Sequence, residues 1–201
     1  MSLANPCRPA DNPFASHRVE ALPYRQSTMS WPDLLRRLDA LGGRAALVGC
    51  KGSGKTTLME ELSHRLAEPV VLVRIPGSDP RPNRTAIRQL PRPVTTAHTI
   101  LIDGAEQLGP LAWRNILNRT RRARRLVATL HKPGRLPTLI TCTTDPELLR
   151  QLVEELAPND ATALQPTLDD LFRRHQGNIR SCLRELYDVY AGRSSPADHA
   201  D

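Results

Sequence analysis

The stretch GCKGSGKTTL, residues 49–58, decides the fold of this chain, because it places three glycines, two lysines and two threonines between an apolar run and a helix-like segment. The residues before it, AALVG (45–49), are typical of a short buried strand, and those after it, TTLMEELSHRLA, carry apolar side chains at helical spacing. In a strand, glycine-rich turn and helix of this kind, backbone N–H groups converge on one anion. We therefore expect this loop to bind phosphate at the N-terminus of the helix.

The pattern Gly49-x-x-x-x-Gly54-Lys55-Thr56 is a full match to the Walker A motif. On these residues the chain resembles the P-loop NTPase superfamily over roughly residues 41–144. The resemblance implies that ATP and Mg²⁺ are bound, with Lys55 reaching the β- and γ-phosphates and acting in catalysis, and with Thr56 ligating the metal. The residues that it implies for nucleotide binding are Gly49, Cys50, Lys51, Gly52, Ser53, Gly54, Lys55, Thr56 and Thr57.

A second metal ligand is expected in the segment TILIDGAEQL (residues 99–108), where a strand-like run ends at Asp103. This segment resembles the Walker B strand of the same superfamily, which implies that Asp103 shares Mg²⁺ with Thr56. The alternative is a plain turn, because Asp-Gly is a common turn pair.

Hydrolysis is less well supported than binding, because many ATPases of the superfamily carry a glutamate directly after the Walker B aspartate, and here that position is Gly104. The nearest carboxylate is Glu106. The Asp-Gly-x-acid arrangement resembles signalling-type ATPases of the STAND group, and it makes Glu106 the candidate catalytic base. The alternative is a surface glutamate placed at a helix start by the helix dipole.

Three further residues are candidate sensors of the γ-phosphate. Thr129 and His131 follow the fourth predicted strand, and turn residues are the alternative for both. The run GNIR near the C-terminus resembles the start of the lid helix of AAA+ ATPases, which gives Arg180 the role of a lid sensor; a plain capped helix is the alternative. Arg135, in HKPGRLP, is a candidate arginine finger for a neighbouring subunit, which would require a homo-oligomer.

The apolar patterns predict an α/β fold with three layers and a mainly parallel five-stranded sheet. Strand-like runs occur at residues 45–49, 70–75, 99–103, 125–129 and 138–143. Only helical patterns follow residue 144, which predicts a small helical appendage. The expected organisation is a disordered tail over residues 1–29, a P-loop domain over 30–144, a helical lid over 145–192 and a tail over 193–201. Residues 76–98 are expected to be irregular.

Positive charge exceeds negative charge, with 28 Lys and Arg against 21 Asp and Glu. Much of the excess lies in two arginine-rich segments, and it allows a nucleic acid, an acidic protein face or a solvated surface as the interpretation. Few aromatic side chains are available to stack on bases, and Trp113 is the one near a cluster. The candidate partner-binding arginines are Arg81, Arg84, Arg88, Arg121, Arg122 and Arg124.

Four cysteines without a C-x-x-C pair, and the lack of an apolar run long enough for a membrane helix, favour a cytoplasmic location without membrane association. The leading functional hypothesis is a Mg²⁺-dependent ATPase of AAA+/STAND-like type that couples its nucleotide state to the helical lid. The alternatives are a small-molecule kinase that uses the same loop and a non-hydrolysing, nucleotide-gated module that binds nucleic acid or protein.

Overall fold

The computed structural model describes residues 11–25 and 29–192. These residues form two compact units. The α/β unit comprises residues 29–50 and 54–142, and the helical unit comprises residues 11–25, 51–53 and 143–192. The predicted tail over 193–201 and the first ten residues of the predicted N-terminal tail lie outside the described residues.

The core of the α/β unit is a five-stranded parallel sheet with the strand order β2-β3-β4-β1-β5. This confirms the predicted α/β fold and its parallel sheet, and it is consistent with a P-loop NTPase fold. The strands are β1 (Arg44–Gly49), β2 (Val70–Arg74), β3 (Thr99–Asp103), β4 (Arg125–Leu130) and β5 (Thr138–Cys142).

Eight α-helices are present among the described residues. In chain order they are α1 (Ser16–Glu20), α2 (Trp31–Ala40), α3 (Lys55–Arg65), α4 (Pro82–Gln89), α5 (Pro110–Arg119), α6 (Pro146–Leu156), α7 (Ala161–Arg174) and α8 (Ile179–Tyr190). The apolar pattern predicts a helix over residues 111–124, whereas α5 ends at Arg119 and residues 120–124 form the turn before β4.

Helices cover both faces of the sheet, which explains why β1 and β4 are almost continuously apolar. On one face, α4 and α5 bury Ala86, Trp113 and Ile116 against Ile100 and Leu126 of the sheet. On the other side, α2 contacts β1 and β5, and α3 contacts β1 and β3. The unit therefore has the three layers that the sequence predicts.

Helix α2 shows how closely the local sequence determines an element. The Ser30 side chain accepts a hydrogen bond from the backbone N–H of Asp33 at 3.3 Å, and Pro32 lies in the first turn. Leu34 and Leu38, four residues apart, are the buried positions. The sequence predicts this helix from a capping pattern at Ser30 and Asp33 and from leucines at helical spacing, and both features are present.

Helix α4 lies within residues 76–98, which we expected to be irregular. Pro82 occupies the first helical turn, where a missing N–H and a fixed φ favour helix initiation rather than termination. Ala86 is fully buried in the core of the α/β unit, so tertiary packing stabilises a segment of only eight residues. The prolines that suggested irregularity therefore lie outside the helix or at its start.

The helical unit packs α6, α7 and α8 around an aliphatic core. Asp145 caps α6 by accepting a hydrogen bond from Leu148 N at 2.7 Å, and Asn178 caps α8 by accepting one from Ser181 N at 3.2 Å. The buried residues of this core include Leu149, Val153, Leu164, Leu168, Cys182, Leu183 and Leu186.

Residues 11–25 belong to this helical core, although the sequence predicts a disordered tail over residues 1–29. Phe14 is 3% exposed, and its ring meets the Tyr190 ring edge-on with the centroids 5.2 Å apart. The buried Asn12 side chain donates a hydrogen bond to Tyr187 O at 2.9 Å. Val19 and Leu22 also pack against this core. Because α1 is only five residues long, these contacts produce no extended periodic pattern in the sequence.

In the part of the chain that the structure describes, no helix has the length and apolar character needed to cross a membrane.

We predict that Phe14→Ala destabilises the helical unit by about 3 kcal/mol, because it removes a buried aromatic ring and leaves a cavity. Denaturant unfolding followed by circular dichroism measures the change. Leu111→Ala is the control, because the Leu111 side chain is 84% exposed and its truncation is expected to cost little. Equal stability of the Phe14→Ala variant and the wild type would contradict the packing described for residues 11–25.

Candidate functional site

The candidate site lies at the carboxyl edge of the parallel sheet. Strand β4 lies between β1 and β3, and its residues Ala128 and Thr129 pair with Ile102 of β3 and Leu47 of β1, respectively. Because parallel strands end at the same edge, the residues that follow β1, β3 and β4 are brought together. Within the α/β unit, residues 49–50 and 54–57 of the glycine-rich loop (residues 49–57), Asp103 and Thr129 therefore lie at this edge.

The glycine-rich loop connects the end of β1 to the start of α3. Gly54, the N-cap of α3, has a φ of +81°, a left-handed conformation that glycine adopts without strain. The Lys55 ammonium folds back and donates hydrogen bonds to Gly49 O at 2.8 Å and to Cys50 O at 2.6 Å. Because an ammonium group has three donors, these two bonds leave one for a further acceptor.

Lys55 is only 8% exposed, and this burial lowers its pKa from the ordinary value. The carboxylates of Glu106 and Asp103 favour the charged form and oppose the shift, Glu106 more strongly. The site thus contains a buried cation that carries one open donor and lies close to two acidic groups. Such a group is suited to an anionic oxygen that brings its own negative charge.

Asp103 is held by two hydroxyl groups, one on each carboxylate oxygen. Thr56 Oγ1 donates to Oδ2 at 2.9 Å, and Thr129 Oγ1 donates to Oδ1 at 2.8 Å. The Thr129 oxygen also accepts a hydrogen bond from Gly104 N at 2.8 Å, and this side chain is 1% exposed. Thr129, which we predicted as a phosphate sensor, therefore fixes the carboxylate and the turn that follows it.

Gly104 explains why no glutamate directly follows Asp103. Its φ is +83°, and a Cβ atom at this position would lie 2.2 Å from the backbone oxygen of Ile75. The close approach is part of the sheet, because Ile75 N donates to Asp103 O at 2.9 Å. Only glycine fits this position without strain, so a side chain that reaches the site must come from a later residue.

That later residue is Glu106, on a 3₁₀ turn formed by Ala105–Gln107. Its Oε1 lies 3.1 Å from His131 Nε2, which follows β4. Its Oε2 is buried and has no hydrogen-bond partner among the described residues. A surface glutamate would expose both carboxylate oxygens to water, because burying an oxygen without a hydrogen bond costs free energy. The second oxygen is therefore available to a ligand or a water molecule.

Arg135 holds the turn that carries Glu106. Its guanidinium donates to Ala105 O at 2.7 Å and to Leu108 O at 2.7 Å, and it lies over the Trp113 ring at 5.6 Å from the centroid. We expected Arg135 to reach a neighbouring subunit. The structure instead directs its side chain to carbonyls of its own chain, so the arginine-finger hypothesis is not supported.

Arg180 and the tip of the glycine-rich loop are placed in the helical unit. Arg180 is an exposed residue in the first turn of α8. Residues 51–53 belong to this unit, and a Cβ atom on Gly52 would lie 1.9 Å from Asn178 Oδ1, the oxygen that caps α8. Lys51 is exposed and Ser53 is buried.

The donor set at Asp103 fits a magnesium ion. Thr56 and Asp103 offer a hydroxyl and a carboxylate oxygen, which are the hard ligands that Mg²⁺ prefers. The described part of the chain contains no cluster of three or more His, Cys, Asp and Glu side chains arranged to bind a metal.

No protein-family model matches this chain, and no curated protein matches it. The interpretation of the site therefore rests on its own geometry. Within the α/β unit that geometry joins Lys55, Thr56, Asp103 and Thr129 at one edge of the sheet, and it places the Glu106–His131 pair on the segments that follow β3 and β4.

The sequence does not reveal the positioning role of Arg135 or the approach of Ile75 to Gly104. Both depend on contacts between segments that are about thirty residues apart. The only local signal is the Asp103-Gly104 pair, because glycine directly after a strand marks a position where the backbone turns or approaches another segment closely.

We predict that Gly104→Ala destabilises the α/β unit by about 2 kcal/mol or more, since it combines a strained φ with a clash against a backbone oxygen. Thermal unfolding measures the effect. Gly77→Ala is the matched control, because its nearest contact would be 3.7 Å from a side-chain nitrogen and its φ is not left-handed. If the two substitutions had equal effects, the structural requirement for glycine at position 104 would be wrong.

Proposed function

We propose that this chain is a Mg²⁺-dependent ATPase of the P-loop NTPase type. The observation that carries the proposal is the 2.9 Å hydrogen bond between Thr56 and Asp103, made beside a buried lysine with an open donor. Two oxygen ligands and a cation at the N-terminus of α3 form a site for a phosphate chain with its metal. A glycine-rich turn without a role in phosphate binding would not need Asp103, from another strand, beside its threonine.

In the proposed complex, the backbone N–H groups of the glycine-rich loop bind the phosphates of ATP. Lys55 donates its third hydrogen to a β- or γ-phosphate oxygen, and Thr56 and Asp103 hold Mg²⁺. When bound, the metal would neutralise negative charge on the phosphate oxygens. Thr129 keeps Asp103 in position through its hydroxyl group.

Glu106 is the proposed general base for hydrolysis. Its buried, unpaired Oε2 accepts a proton from water, while His131 holds Oε1 at 3.1 Å. The water oxygen bonds to the γ-phosphorus, the bond from that phosphorus to the β–γ bridging oxygen breaks, and ADP leaves with the electron pair. Arg135 supports the step by fixing the 3₁₀ turn that presents the carboxylate.

The finer assignment to an AAA+/STAND-like ATPase rests on the Asp-Gly-x-acid arrangement and on the GNIR sequence at the start of α8. The contact of Gly52 with Asn178 supports coupling, since a nucleotide-dependent movement of residues 51–53 would act directly on the N-terminus of that helix. ATP is favoured over GTP because the sequence lacks an Asn-Lys-x-Asp guanine-reading motif.

We predict that Glu106→Gln lowers kcat for phosphate release from ATP by about 100-fold or more and leaves ATP binding intact, because the amide accepts no proton. Phosphate release under excess Mg·ATP, with a parallel measurement of the ATP Kd, tests this. The control is Glu154→Gln on α6, where the carboxylate is exposed and turnover should not change.

The same assay separates the alternatives. Unchanged turnover of the Glu106→Gln variant would contradict the assignment of the base. ADP formation that requires an added hydroxyl acceptor would replace the ATPase by a kinase. ATP binding by the wild type without ADP formation under any of these conditions would leave a nucleotide-gated binding module.

A further inference from the structure

The layer formed by α4 and α5 carries a distinctive distribution of charge. Residues 80–102 contain four arginines and no Asp or Glu, and residues 107–144 contain no Asp or Glu either. These two stretches include both helices of this layer and the turns that lead into β3 and β4. Acidic residues are thus excluded from one face of the α/β unit rather than interspersed with the basic ones.

The arginines of these stretches lie on neighbouring elements. Helices α4 and α5 contact each other and share one face of the sheet. At the sheet edge where β3 and β4 begin, Arg124 N donates to His98 O at 2.9 Å, which brings the turn after α5 beside the segment before β3. Six exposed arginines of this surface without an ion pair to a described carboxylate are here called the basic face: Arg84, Arg88, Arg92, Arg114, Arg121 and Arg122.

The basic face is not neutralised within the described chain. None of its six arginines forms an ion pair with a described carboxylate. Two neighbouring arginines do: Arg125 is paired with Asp39 and Glu68, and Arg124 lies 3.8 Å from Glu68. The acidic groups near this edge are therefore used by Arg124 and Arg125, and the outer arginines keep their full charge.

We propose that the basic face binds the phosphate backbone of a nucleic-acid duplex. Arginine presents a planar fork of donors that matches phosphate oxygens, and clustered arginines attract a linear polyanion. Arg84 and Arg88 are one helical turn apart on α4, about 6 Å along its axis. Arginines at this spacing can contact successive phosphates along a nucleic-acid backbone.

The lack of a stacking platform favours a duplex over a single strand. Trp113 is the aromatic residue of α4 and α5, and it is buried at 7% exposure. Proteins that bind single strands without sequence preference use exposed aromatic rings, on which successive bases stack. The basic face offers charge alone, so it contacts phosphates and does not read the sequence.

The basic face is separate from the glycine-rich loop. Its densest part precedes β4, whereas the candidate site follows β3 and β4 at the opposite edge of the same sheet. A duplex bound here leaves Lys55, Thr56 and Asp103 accessible. Duplex binding at the basic face therefore does not depend on whether the chain hydrolyses ATP.

Fluorescence anisotropy of a labelled DNA duplex of about 20 base pairs with the full chain tests the proposal, in salt from about 50 to about 200 mM. We expect the logarithm of the association constant to fall linearly with the logarithm of salt concentration, with a slope of about −4 to −5. An RNA duplex of equal length is measured in parallel. Binding of either with this salt dependence supports the proposal, and the tighter one identifies the class of duplex.

Two double variants locate the contacts. Arg84→Gln with Arg88→Gln, and Arg121→Gln with Arg122→Gln, should each reduce the magnitude of the slope by about 2. The matched control is Arg36→Gln with Arg37→Gln on α2, an equal loss of charge outside the basic face. Unchanged thermal unfolding and ATP binding confirm that each variant is folded.

Three results would overturn the proposal. The first is no duplex binding at the lowest salt concentration. The second is an equal loss of binding in the α2 control, which would indicate unlocalised attraction by net charge. The third is binding of labelled polyglutamate as tight as that of the duplex, with the same sensitivity to the basic-face variants, which would identify an acidic protein surface as the partner.

Discussion

The hydrogen bond from Thr56 to Asp103 is the interaction on which the interpretation of this molecule depends, because it joins two motifs that lie 47 residues apart in the chain. It exists because β4 lies between β1 and β3 and contributes Thr129, which holds the other oxygen of the same carboxylate. The parallel sheet makes this meeting possible, since its strands bring their carboxyl ends to one edge. The buried Lys55 adds a cation beside the pair, and together these groups form a site suited to a phosphate chain and its metal.

A second constraint follows from the turn after Asp103. The left-handed backbone of Gly104 and its approach to Ile75 O exclude a side chain at that position. The next carboxylate along the chain belongs to Glu106, the base of the proposed mechanism, and it is supported by His131 and Arg135, which both follow β4. Glycine at position 104 thus has a steric cause, and Glu106, the proposed base, keeps one carboxylate oxygen buried and without a hydrogen-bond partner among the described residues.

The features that could be predicted from the sequence are those with a local pattern. Apolar runs located the strands, the cap at Ser30 located α2, and the glycine-rich loop and Asp103 located the candidate site. Helix α4 was missed because its stability comes from burying Ala86 rather than from its own sequence. Residues 11–25 were missed because their contacts with the helical core, made by Phe14, Val19 and Leu22, belong to a segment whose helix has only five residues. The role of Arg135 was missed because its partners are backbone carbonyls about thirty residues away, which no side-chain pattern encodes.

Isothermal titration of Mg·ATP tests the central claim most directly, because every role proposed for the glycine-rich loop requires Lys55 to bind phosphate. We expect Lys55→Ala to weaken ATP binding by about 100-fold or more, equivalent to about 2.7 kcal/mol. The control Lys132→Ala removes an exposed ammonium outside the loop and should leave the Kd unchanged. Equal affinities of the wild type and the Lys55→Ala variant, or no binding of Mg·ATP by the wild type, would contradict the account.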